Sequence, residues 1–155
     1  MEEVCPLTLC WCWVQRGCSR LDGVDQLIPV PDTDTQTYWE GCKRSELLIQ
    51  RCLSCEKLYF YPRMLCPHCM GRKYEWVKVS GRGVVYSYTL IRRPPVSGLE
   101  VPYILAIVEL EEGVRMMSNI IDCKEDEIDI GMKVEVIFQP VSDEIYLPKF
   151  RPVKG

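Results

Sequence analysis

The sequence predicts a mainly β protein, with one short helix near the N-terminus, a small cysteine-pinned β unit and a C-terminal five-stranded barrel. Three observations predict it. Two Cys-x2-Cys pairs, Cys52-Leu53-Ser54-Cys55 and Cys66-Pro67-His68-Cys69, lie ten residues apart. Five short strand-like runs follow between Val84 and Phe150, separated by Gly and Pro punctuation. None of that stretch keeps a helical period for more than a turn or two. At 155 residues the chain has room for one domain, or one with a small appendage, since domains run to about 150 residues.

Residues 1–31 carry Cys5, Cys10, Cys12 and Cys18 beside Trp11 and Trp13 and show neither helix nor strand period. They are expected to be an atypical, poorly ordered N-terminal extension. Residues 32–46 read as the helix. Thr33 as N-cap with Gln36 three positions on makes a capping box, and Asp32 and Asp34 suit the positive end of the helix dipole. Tyr38, Trp39 and Cys42 form its apolar stripe, as in a packing helix that ends near Ser45.

Residues 47–79 form the cysteine unit, with β-prone runs at Leu47–Arg51 and Leu58–Tyr61 leading into and out of the Cys pairs. Residues 80–155 form the barrel. Gly81-Arg82-Gly83 bends into the run Val84–Arg93, in which Val84, Tyr86, Tyr88 and Leu90 share one face. In Tyr103–Glu111, Ile104, Ala106, Val108 and Leu110 face one way and Glu109 and Glu111 the other. Glu112-Gly113 turns the chain into Val114–Ile121 as a hairpin would. Val134, Val136 and Phe138 give a fourth strand and Ile145–Phe150 a fifth, the strand count of an OB-type barrel.

Composition excludes several function classes. A chain 47% apolar and 26% charged is not intrinsically disordered. Nineteen Lys and Arg against 22 Asp and Glu leave a net charge of -3, which gives no general field for a nucleic-acid backbone. No run reaches the roughly 18 apolar residues of a membrane-spanning helix, so no membrane partner is expected. The apolar stretch Val4–Val14 follows Glu2 and Glu3 where a signal peptide has a positive region, so a cytoplasmic location is expected.

Two Cys-x2-Cys turns supply four thiolates at tetrahedral corners, which points to a structural Zn(II) ion held by Cys52, Cys55, Cys66 and Cys69. Iron in the same cage, as in an electron carrier, or four free thiols are the alternatives. The N-terminal Cys quartet could form a second site, although its spacing matches no usual knuckle. Cys42 and Cys123 read as small apolar residues rather than nucleophiles. His68, the single His, sits inside the second Cys pair and is poorly placed to act as a mobile base. No catalytic residue is assigned.

Tyr38-Trp39-Glu40-Gly41, Leu48-Ile49-Gln50-Arg51-Cys52, Cys66-Pro67-His68-Cys69, Val79 to Thr89 and Leu147-Pro148-Lys149-Phe150-Arg151-Pro152 occur together in this order. In this the sequence resembles the zinc-ribbon plus OB-fold family long described as a domain of unknown function and as acyl-CoA-associated. The resemblance implies an N-terminal helix, a rubredoxin-like zinc ribbon and a C-terminal OB-fold barrel. It also implies a non-catalytic accessory subunit in a hetero-oligomer with a thiolase-like protein subunit, including the small subunits of thiolases. Acyl-CoA would then lie at a shared site. Arg82, Arg92, Arg93, Lys149 and Arg151 are the candidate cations for coenzyme A phosphates or the partner surface. The family has Gly directly after each second Cys, where this chain has Glu56 and Met70, so both knuckles are expected to be strained or slightly re-shaped. Tyr86, Tyr88 and Tyr103 are possible contact residues. A nucleic-acid-binding ribbon and barrel is the alternative function.

Overall fold

The computed structural model describes residues 28–94 and 99–153. The expected N-terminal extension, apart from residues 28–31, lies outside them, and so do its four Cys and the second metal site. Helix α1 spans Gln36–Lys43. Strands β1 (Leu48–Cys52), β2 (Leu58–Tyr59) and β3 (Tyr74–Lys78) form a small antiparallel sheet in the order β2-β1-β3. Strands β4 (Arg82–Ile91), β5 (Tyr103–Leu110), β6 (Arg115–Ile120), β7 (Lys133–Pro140) and β8 (Tyr146–Pro152) close a barrel in the order β4-β5-β6-β8-β7. All its pairs are antiparallel except β6 with β8. This is the helix, ribbon and five-stranded OB-type barrel that the sequence predicts.

A single core ties the parts together. Tyr38, Trp39 and Cys42 from the helix and Leu47 and Ile49 from the ribbon bury against the barrel interior around Val85, Val108, Val134 and Phe150. The helix packs on β1, β7 and β8. Tyr38 meets Trp39 edge-on at 4.9 Å and Phe60 at 5.6 Å, so an aromatic cluster joins helix to ribbon. Burial pushes the Cys42 thiol up to about 12, which keeps it a neutral packing group rather than a nucleophile. Cys123 is half-buried, and burial, then Glu127 and Asp126, raise its thiol too.

The expected capping box does not form: the helix N-cap is Thr35, with no side-chain cap bond, and a reciprocal Asp32–Thr35 pair closes the turn just before the helix. Asp32, not Thr33, accepts from the Thr35 backbone N–H at 2.9 Å, and Thr35 Oγ1 accepts from the Asp32 N–H at 3.0 Å. Thr33 and Gln36 do not form the box. The helix thus starts two residues later than Thr33 suggests, at buried Thr35. The Thr35 hydroxyl bond at 2.7 Å, followed by backbone N–H bonds, holds the Asp32 carboxyl below its usual range. A carboxyl lowered in the fold adds stability above its unfolded pKa, and that stability is lost as pH falls through the folded value. Thr35→Val is therefore expected to lower the melting temperature at neutral pH, and the deficit should shrink without vanishing as pH falls through the carboxylate range, as thermal melts at neutral and acid pH would show.

The first barrel strand corrects a second expectation. Val85 stands opposite buried Val108, but a bulge between Val85 and Ser87 shifts the register, so Tyr88 stands opposite buried Ala106 and Leu90 opposite buried Ile104. Val84, Tyr86, Tyr88 and Leu90 thus do not share one face. The bulge leaves Val84 and Tyr86 outside and puts Tyr88 and Leu90 in register with the inward row, where Leu90 packs on the core and Tyr88 stays exposed. Strand β5 alternates as expected, and Gly113 at φ +81 completes the hairpin to β6.

Candidate functional site

The two knuckles are built alike. Glu56 N–H donates to Cys52 O at 2.9 Å and Met70 N–H donates to Cys66 O at 2.9 Å, closing equivalent turns. Ser54 N–H and His68 N–H then donate to the sulfurs of Cys52 and Cys66, both at 3.4 Å. The sulfurs of Cys52, Cys55, Cys66 and Cys69 lie within 4.8 Å of one another. Cys52–Cys69 is 3.5 Å and Cys55–Cys66 is 3.7 Å. A tetrahedron with metal–sulfur bonds of about 2.3 Å has edges of about 3.8 Å. The cluster therefore fits a structural metal ion, with every ligand position filled by protein.

The electrostatics agree with that fit. N–H groups of Cys55 and Ser54 pull the Cys52 thiol down to about 6. At Cys69 the Gly71 N–H acts the same way, but the Cys55 and Cys52 thiols beside it push it up to about 12 overall. Four thiolates this close repel one another, and a cation removes the penalty.

Glu56 and Met70 both hold φ +60, the conformation that Gly would adopt at no cost. The knuckles thus keep their shape and carry the strain. A non-Gly residue there costs roughly 1–2 kcal/mol. Met70 is 66% exposed, so burial of its side chain does not offset that cost. Met70→Gly is expected to stabilise the isolated chain by about 0.5–1 kcal/mol, with metal content unchanged, in a thermal melt paired with a metal assay.

The five candidate cations do not converge on one site. Arg82 and Arg151 lie on either side of Glu135 across β4-β7-β8, and Arg151 pairs with it at 2.8 Å. Lys149 is half-buried on β8, and burial lowers its pKa. Arg92 and Arg93 lie past the other end of β4, where Arg92 pairs with Glu125 at 3.0 Å. Among the described residues Arg82, Arg93 and Lys149 carry no ion pair. His68 is exposed and, with Pro67, lines a cleft of about 310 Å³ shared with Glu109 and Arg115.

Sequence reasoning missed one feature of that cleft's rim. The Arg115 guanidinium stacks 3.5 Å over the Tyr86 ring while Arg115 Nε donates to Glu109 at 2.6 Å. The hairpin signal at Glu112-Gly113 carries the needed register, because a tight turn there sets Glu109 opposite Arg115.

Comparison with known proteins adds the following. The family model described as "ChsH2, rubredoxin-like zinc ribbon domain" matches residues 39–75, and "ChsH2, C-terminal OB-fold domain" matches residues 76–139. The chain is 39% identical over 124 residues to a "Probable enoyl-CoA hydratase alpha subunit" of Thermomonospora curvata, covering 80% of this chain and 39% of that protein. It thus spans well under half of that relative's length. It is 37% identical over 126 residues to a "DUF35 domain-containing scaffold protein" of Methanocaldococcus jannaschii, covering 76% of this chain and 89% of the relative. It is 38% identical over 94 residues to "Benzoylsuccinyl-CoA thiolase subunit BbsA" of Geobacter metallireducens, covering 59% and 60%. The structure described as "Ltp2-ChsH2(DUF35) aldolase" superposes with a TM-score of 0.72 at 39% identity, covering 80% of this chain and 98% of that one.

Proposed function

This chain belongs to the DUF35/ChsH2 family of zinc-ribbon plus OB-fold proteins, and from that premise we propose that it is a non-catalytic accessory subunit of a thiolase-superfamily enzyme acting on acyl-CoA. The observation that carries the proposal is the likeness to the chain of the Ltp2-ChsH2(DUF35) aldolase, at 39% identity over 98% of that chain. The closed four-thiolate site supports it, because a metal saturated by protein has no position for substrate. The ion we propose is zinc, which four thiolates in a tetrahedron suit. Reduced thiolates in that cage fit a cytoplasmic protein.

The relatives are level in identity, 39% to a hydratase alpha subunit and 38% to a benzoylsuccinyl-CoA thiolase subunit. Identity therefore does not select the acyl group. Benzoylsuccinyl-CoA is the first substrate to try in a thiolysis assay. If coenzyme A is contacted directly, Arg82, Arg93 and Lys149 are the cations with no ion pair to give up among the described residues.

The test is co-expression with a thiolase-type protein of the same organism, followed by size-exclusion chromatography and a metal assay. Co-elution with about one zinc per chain, and turnover that needs both proteins, is the expected result. Separate elution of a folded, zinc-loaded chain overturns the proposal.

A further inference from the structure

The outward surface of the barrel has two unlike faces. Around β7 and β8 it carries Lys133, Glu135 and Arg151, with an ion pair between the last two. Around β4, β5 and β6 the outward rows are Val84-Glu109-Arg115, then Ser87-Ile107-Met117 beside the bulged Tyr86, then Thr89-Leu105-Asn119. The only charges in those rows are Glu109 and Arg115, which neutralise each other. Met117 is 63% exposed and Tyr86 46%. Tyr, Met and Arg with little net charge is the composition of the buried centre of a protein interface.

Resting on the accessory-subunit reading, we propose that this face, continued across the adjoining cleft onto the second metal knuckle, is the surface that docks on the thiolase-type protein. Three arguments choose that occupant. A nucleic acid needs cations to neutralise phosphates, and the single cation of these three rows is already paired with Glu109 and lies over Tyr86, with Arg82 alone at their edge. A second copy laid face to face finds too little area. Three strands about 4.8 Å apart and six residues long offer roughly 300 Å², against about 800 Å² per partner in a stable complex. The surface also continues beyond the barrel. The Glu109–Arg115 end opens into the 310 Å³ cleft whose far wall is Pro67 and His68 of the second knuckle. That knuckle carries the strained, exposed Met70. A partner that spans barrel and ribbon together covers more surface than these three strands alone offer.

Met117→Asp and Tyr86→Ala are each expected to weaken binding to the co-expressed thiolase-type protein about tenfold or more, read by biolayer interferometry. The metal content of the isolated variants should match wild type, and the melting temperature should change little for exposed Met117 and fall only by the lost Arg115 stack for Tyr86. Gln139→Asp, on β7, should leave binding unchanged. Hydrogen exchange on the wild-type complex, which needs no variant, should show new protection in residues 103–107 and 115–119. Wild-type binding with no effect of either variant and no such protection overturns this proposal and leaves the accessory-subunit reading standing. Absence of any wild-type complex overturns both. A Met117-dependent homodimer, or Tyr86-dependent binding of fluorescent oligothymidine, overturns this proposal in favour of another occupant.

Discussion

Cys66→Ala is expected to release the metal and melt the two knuckles, residues 52–56 and 66–71, while the barrel strands stay folded. Cys66 is fully buried, its sulfur lies 3.7 Å from that of Cys55, and it accepts a bond from His68 N–H. The two knuckles have little else to hold them, although Leu58 and Phe60 between them pack on the main core. The ribbon's own buried apolar group is Cys52, Tyr59 and Cys66, and β2 is two residues long. Structural zinc sites of this kind contribute on the order of 10 kcal/mol, far more than three side chains can supply. The other end of the ribbon is anchored differently. Leu47 and Ile49 belong to the main core, so the base of β1 should survive. Hydrogen exchange with mass spectrometry checks this: protection should vanish in residues 52–56 and 66–71 and persist in β5 and β6. Chelator treatment of wild type should give the same map. Persistent protection of both knuckles in metal-free protein would show that the ribbon holds without its ion.

The legible parts of this structure are those whose signals are local. Two Cys-x2-Cys pairs imply their own geometry, and the sulfurs lie where that spacing places them. Strand β5 alternates without interruption, so its buried face can be read directly from Ile104 to Leu110. The hairpin at Glu112-Gly113 is equally local. The illegible parts depend on what a segment meets elsewhere. A β-bulge leaves no mark on the alternation of Val84, Tyr86, Tyr88 and Leu90, yet it reverses the facing of the last two. The helix start reads as Thr33 in sequence, whereas the fold makes buried Thr35 the N-cap and pairs its hydroxyl with Asp32. At Glu56 and Met70 the strain expected from the sequence is present as positive φ, and only the choice between strain and re-shaping needed the fold.

The candidate cations show the same limit from the side of function. Arg82, Arg92, Arg93, Lys149 and Arg151 look interchangeable as sequence, but strand pairing separates them and gives Arg92 and Arg151 partners of their own. The outward face around Met117 emerges only when three strands are in register, because its residues are spaced as ordinary barrel positions on each strand taken alone.

Gly83→Ala is expected to cost about 3 kcal/mol, the upper end for overpacking a well-packed core. Gly83 is paired on both sides, opposite Leu110 on β5 and Val134 on β7, where the barrel closes through β4. A Cβ at this position would lie 2.4 Å from the Glu109 carbonyl oxygen and 3.0 Å from Val108 Cγ1. The nearer atom is backbone, so no side-chain rotation relieves the clash and β5 must move away from β4. For a chain of this length about 3 kcal/mol corresponds to a fall in melting temperature of roughly 6–12 °C. Gly113→Ala separates this cause from backbone conformation. Gly113 has φ +81 and nothing within 4 Å of an added Cβ, so its cost is that of the left-handed region alone, about 1 kcal/mol. Melts of the two variants with metal bound should therefore rank Gly83→Ala well below Gly113→Ala. Equal melting temperatures would mean that β4 and β5 approach less closely at the closure than 2.4 Å implies, and that conformation rather than space dictates glycine at both positions.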